Sequence, residues 1–189
     1  MTPEQRIRLA AAYYARTIVR GVDRRCATAC HQAGHAVMAI RLRGWIGNNG
    51  VEIDNRQCSH AEWPDDGDAG TKERRKVLFA LAGWRAEHLW HGEGSSRDGL
   101  PDDVTLFALK CLRNGWSECD GTDDFCAFKA MLAEWPAATD EELAQRYADF
   151  SAECYAILRK PRVREAVERV AEKLIERGRL SADEAARGY

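Results

Sequence analysis

The sequence predicts a single, mainly helical domain with a small β element, an α+β chain. Three observations predict it. Capping boxes stand ahead of apolar stripes of helical period, prolines and glycines cut the chain into helix-length pieces, and only one short stretch alternates as a strand would. The chain has 189 residues, enough for one domain with a core of its own.

Element by element, Thr2-Pro3-Glu4-Gln5 reads as a capping box with proline at the first helical position. Ile7, Ala11, Tyr14 and Ile18 continue it as an apolar stripe, so residues 1–25 form a helical extension ahead of a domain over 26–189. A second helix runs from about Arg24 to Arg43 and stops at Gly44. Asn48-Asn49-Gly50 signals a turn, and Val51-Glu52-Ile53-Asp54 alternates like a half-buried strand. Residues 59–70, rich in Asp, Gly and Pro, read as an exposed loop. A long helix follows from Thr71 to Trp90, ending at Gly92, and residues 94–99 read as a flexible connection. Pro101 opens a helix to Asn114-Gly115, and three more helices fall near 122–135, 140–160 and 161–178, separated by Pro136 and Pro161. Thr139 to Glu142 is another capping box, and Ser181 to Glu184 starts a last short helix.

Composition narrows the function classes. A net charge of −2 and a pI near 6.2 provide no general field for nucleic acid, and Arg24-Arg25 and Arg159-Lys160 read as solvated helix ends. No apolar run approaches the roughly 20 residues of a membrane span, and the N-terminus lacks a signal-peptide core, so the expected location is cytoplasmic. Seven cysteines without framework spacing fit free thiols in a reducing compartment. Cys26 and Cys30 share a helix face beside two histidines, but small buried packing residues explain them better than metal ligation.

The stretch with most chemical content is Cys30-His31-Gln32-Ala33-Gly34-His35-Ala36. Histidines four apart on a helix project from one face, and two imidazoles so placed reach one Zn²⁺ at roughly 2.0–2.1 Å each. In the H-E-x-x-H pattern the residue after the first histidine is glutamate, the base that takes a proton from the water on the metal. Gln32 stands there instead, an amide with no basic lone pair near neutral pH. Two histidines do not complete a catalytic zinc site, which normally takes three protein ligands.

This motif resembles that of the FtsH-type, membrane-bound AAA+ zinc proteases, whose metal helix carries H-E-A-G-H-A. The block Leu81-Ala82-Gly83-Trp84-Arg85-Ala86-Glu87-His88-Leu89-Trp90-His91-Gly92-Glu93 is similar to that family's L-A-G-R-A-A-E-E-L-x-x-G-E. Asp98-Gly99-Leu100-Pro101-Asp102-Asp103-Val104 resembles its T-G-A-S-N-D block and the aliphatic residue after it. The tail from about Tyr155 to Leu180 resembles the helical end of that peptidase domain, so the similarity spans roughly residues 26–60 and 71–180.

The resemblance implies a zincin-like helical peptidase domain, with His31, His35 and Asp103 as zinc ligands and position 32 as that of the general base. Asp102 is the neighbouring candidate for the third ligand. Glu87 is a candidate to orient a ligating histidine through its other ring nitrogen, with a surface or capping carboxylate as the plain alternative. His88 and His91 read as surface or boundary residues, and His60 as a loop residue. The implied activity is metalloendopeptidase cleavage of unfolded or extended polypeptide, with a segment near Val51–Asp54, or the stretch that follows it, expected to pair with substrate as an added strand.

The departures carry consequences. No ATPase module or transmembrane segment of the family has a counterpart in this sequence, so the chain is not expected to unfold and feed a substrate with ATP itself. The expected partners are a polypeptide substrate and either a homo-oligomer or a separate regulatory partner. Trp84 replaces a typical Arg. Gln32 removes general acid–base catalysis, worth roughly 10²–10⁴-fold. It stands either as an introduced isosteric substitution or as the mark of a natural pseudo-peptidase that binds peptides or regulates. The first is favoured because the rest of the motif is intact.

Overall fold

The computed structural model of the chain describes residues 24–47, 50–53, 61–65, 69–90, 102–115 and 123–189. Its helices are α1 (Arg24–Arg41), α2 (Ala69–Trp90), α3 (Asp102–Arg113), α4 (Asp123–Glu134), α5 (Asp140–Leu158), α6 (Pro161–Arg177) and α7 (Ala182–Ala186). Four two-residue strands accompany them: β1 (Trp45–Ile46), β2 (Val51–Glu52), β3 (Ala61–Glu62) and β4 (Arg179–Leu180). The chain is therefore mainly helical with a small β element. The expected helix near the N-terminus and the connection at 94–99 lie outside the described residues. The described part of the histidine helix begins at Arg24, where the sequence places its start.

Helix α2 is central. One side packs on α1, and the other on α4 and α5, while α6 covers the remaining flank of α1. The shared core is built from the small and aliphatic residues of these helices, among them Ala33, Val37, Met38, Leu78, Leu81, Phe128, Leu143 and Leu174, all fully buried. α3 rests on α5 and α4. Its C-terminal end is clamped by Arg113, which donates to the Pro136 carbonyl at 2.9 Å, to Asp140 at 2.7 Å, and to the Ala138 carbonyl.

The local signals produce these boundaries. Thr139 and Ser181 each accept from the backbone N–H of the glutamate three residues on, and each glutamate reaches back to the cap, so both capping boxes form. Pro161 opens α6, and Gly178 ends it in the left-handed region at φ 75°. α1 ends one step earlier than its glycine suggests. Arg43 takes the left-handed conformation (φ 63°), the Arg43 N–H bonds the Ile40 carbonyl, and the Gly44 N–H bonds the Ala39 carbonyl in a Schellman motif. Gly44 serves packing instead: a methyl group there would lie 2.5 Å from the Trp63 ring.

The region 59–70 is a correction to the sequence reading. It holds β3, antiparallel to β1 with Trp45 opposite Glu62, and its last two residues begin α2. Val51 and Ile53 are buried and Glu52 exposed, as the alternation predicts. One edge of that strand pairs with β4, Val51 opposite Leu180, and the Ile53 N–H donates to the Gly178 carbonyl at 2.9 Å. The chain's own C-terminal segment thus occupies one of the two edges of that strand. Among the described residues no helix is long and apolar enough to cross a membrane.

Candidate metal centre

Helix α1 presents its site because small residues let α2 come close. Glycine inside a helix costs roughly 0.5–1 kcal/mol relative to alanine. At Gly34 the cost is offset by packing, since a methyl group there would lie 2.5 Å from the Ala86 Cβ and 2.7 Å from the Ala82 carbonyl oxygen. This close approach brings the polar groups of α2 up to the two histidines.

His31 and His35 stand on adjacent turns, with Nε2 atoms 3.3 Å apart and rings edge-on at an interplanar angle of 75°. Two nitrogens bound at 2.0–2.1 Å to one tetrahedral ion lie about 3.3–3.4 Å apart. The spacing therefore fits a shared metal. The other nitrogens also have partners. His35 Nδ1 lies 2.8 Å from the Phe79 carbonyl oxygen, and His31 Nδ1 lies 3.4 Å from Glu87 Oε2. A carbonyl oxygen only accepts, so His35 carries its proton on Nδ1, and the carboxylate favours the same tautomer for His31. Both Nε2 lone pairs then face each other, an arrangement that a bound cation or a shared proton relieves.

The predicted site residues separate as follows. The structure brings together His31, His35 and Glu87, and places Gln32 beside them on α1, only 2% exposed. Asp102 and Asp103 open the first turn of α3, and their side chains lie outside the described residues. Among the described residues no group of three or more His, Cys, Asp or Glu side chains is arranged to hold a metal. His60 and His91 also lie outside them. His88 is half-buried, its Nδ1 3.0 Å from the Tyr155 hydroxyl and its ring against Trp84.

Cys30 is buried and Cys26 half-buried. Burial pushes the Cys30 thiol up to about 12, and the negative potential of Cys26, Glu87 and Glu168 adds to this. Such a thiol stays protonated and is a poor metal ligand at neutral pH.

Arg85 has no role in the sequence reading. It is 1% exposed on α2, and its guanidinium meets side chains of α4 and α5. Its Nη1 donates to Asp124 Oδ1 at 2.6 Å, and Nη2 to the Tyr147 hydroxyl at 2.9 Å and to Ser151 Oγ at 3.1 Å. Tyr147 in turn donates to Asp124 at 2.8 Å. Burial alone would lower the arginine's pKa, but Asp124 and Tyr147 hold it well above its ordinary value. The signal lay in the stripe Leu78, Leu81, Arg85, where a charge takes a core position.

Comparison with known proteins finds no family model that matches this chain and no curated protein that matches it.

Proposed function

We propose that the chain is a zincin-like peptidase domain whose Zn²⁺ is held by His31, His35 and Asp103, with Gln32 at the position of the general base. The observation that carries this reading is the 3.3 Å approach of the two Nε2 atoms, each histidine having a partner for its Nδ1. When bound, zinc supplies Lewis acidity toward a carbonyl and lowers the pKa of coordinated water. The chain's own residues do the rest. The Phe79 carbonyl and Glu87 fix the tautomers and ring orientations that turn both Nε2 atoms toward one point. Gln32 is able to hydrogen-bond where a glutamate would, but its amide has no basic group to accept a proton.

The substrate class is unfolded or extended polypeptide, delivered by a separate partner or admitted by homo-oligomer assembly, in the cytoplasm. Gln32 favours a second reading on the same fold, a pseudo-peptidase that binds peptides or regulates without cutting them. Metal analysis joined to a casein-cleavage assay of Gln32→Glu decides between them. One zinc per chain with cleavage raised 10²-fold or more supports the enzyme. One zinc without cleavage supports the binding module. No stoichiometric zinc, with His31→Ala changing nothing, overturns both.

A further inference from the structure

We infer that Arg85 is a positioning residue for the metal-binding face, acting through Glu87. The inference rests on the reading of His31 and His35 as ligands. Arg85 and Glu87 sit two residues apart on α2, so their side chains leave the helix on nearly opposite faces. Glu87 meets His31 across the α1–α2 contact. Arg85 meets Asp124 on α4 and Tyr147 and Ser151 on α5. Its planar guanidinium is thus held by three partners on two helices, and a fork of donors in fixed geometry restrains rotation as well as translation of the helix that carries it. His88 and Tyr155 make a second tie between this part of α2 and α5. On the α1 side the contact through Gly34, Ala82 and Ala86 is built from methyl and backbone atoms, which set the distance between the helices without a polar side chain held in fixed orientation. Arg85, together with the His88–Tyr155 tie, restrains the rotation of the last turns of α2, and with it the reach of Glu87 to His31. Phe79 lies almost two turns earlier, between Arg85 and Arg74, whose pairing with Glu153 ties the start of α2 to α5 apart from Arg85.

This division makes the role testable apart from plain stability. In wild type, long-range ¹H–¹⁵N spectra are expected to show His31 and His35 both protonated on Nδ1. In Arg85→Lys, which loses the fork, His31 shifts toward a mixture of tautomers while His35 keeps its signals, and Co²⁺ affinity falls about tenfold. In an E87Q background the same substitution has no further effect on Co²⁺ affinity. Ser151→Ala removes one partner of the guanidinium and gives a smaller shift of the same kind, which serves if Arg85→Lys does not fold. Unchanged His31 signals in a folded variant, equal disturbance of both histidines, or additive losses with E87Q overturn the proposal. A wild-type protein that binds no Co²⁺ overturns the metal reading alone, and the His31 tautomer then still decides the role of Arg85.

Discussion

His31 and His35 meet through their Nε2 atoms at 3.3 Å, while the Nδ1 of each faces an oxygen of α2. The orientation of both rings is therefore set from behind, and the ligating edge is organised before any ion arrives. Replacing either histidine by alanine is expected to abolish stoichiometric zinc, measured by metal analysis after dialysis. His35→Ala also costs stability, because the ring is fully buried against Phe79 with centroids 4.9 Å apart. His31 is half-buried, so His31→Ala separates metal loss from folding. Retention of one zinc per chain in His31→Ala would sink the pair as a site.

Gly34→Ala tests the close approach that creates the site. The added methyl would lie 2.5 Å from the Ala86 Cβ, and neither it nor the Ala82 backbone is a flexible side-chain end. Helices α1 and α2 must separate, at an expected cost of about 1–3 kcal/mol in urea unfolding. Glu87 and the Phe79 carbonyl move with α2, so Co²⁺ affinity falls in the same variant. A variant as stable as wild type would mean that the contact relaxes freely.

Much of this architecture is legible in the sequence where the cause is local. The capping boxes at Thr139 and Ser181 are complete within four residues, and the boundaries of α5 and α7 follow from them. His31 and His35 need only helical spacing to share a face. β3 escaped because two residues in a polar loop have no periodicity, and their pairing with Trp45 and Ile46 is made across the fold. Gly44 was misread because glycine is the usual left-handed cap. Here Arg43 takes the strained position and the glycine makes room for Trp63. The Phe79 carbonyl could not be read at all, since any residue type supplies one.

Asp124→Ala is expected to cost about 3–5 kcal/mol, because it leaves the Arg85 cation buried without its carboxylate. Asp124→Asn keeps an acceptor and costs less. Replacing the pair together, Arg85→Met with Asp124→Leu, recovers most of the stability by substituting apolar packing for the ion pair. Urea unfolding measures all three. If Arg85 positions Glu87, this double variant regains stability without regaining Co²⁺ affinity.

The capping box that opens α7 provides a pH dependence. The Glu184 carboxylate accepts from the Ser181 N–H and from the Ser181 hydroxyl, both at 2.9 Å, and pairs with Arg177 at 2.8 Å. The backbone bond from Ser181, then its hydroxyl, hold Glu184 below the usual carboxylate value, with Arg177 adding to the effect. A carboxyl depressed in the folded state contributes stability above its unfolded pKa of about 4.3, and that contribution is lost as the pH falls through the folded value. Carboxyl ¹³C titration is expected to place Glu184 below other exposed glutamates, with the α7 amides losing exchange protection over the same range. Glu184→Gln removes this acid limb. A Glu184 midpoint at the ordinary value would show that the box does not persist in solution.

Gln32→Glu carries a stability prediction independent of catalysis. Gln32 is 2% exposed, so the substitution puts a carboxylate where water scarcely reaches. Without metal the buried charge lacks a cation and is expected to lower stability by about 1–3 kcal/mol. A zinc ion on His31 and His35 places two positive charges next to it and offsets that cost. Thermal unfolding with and without one equivalent of zinc reads the difference. The zinc-dependent rise in Tm is expected to be larger in Gln32→Glu than in wild type. Equal zinc shifts in the two proteins would mean that position 32 does not face the metal, and with that the general-base assignment falls even if the histidines bind.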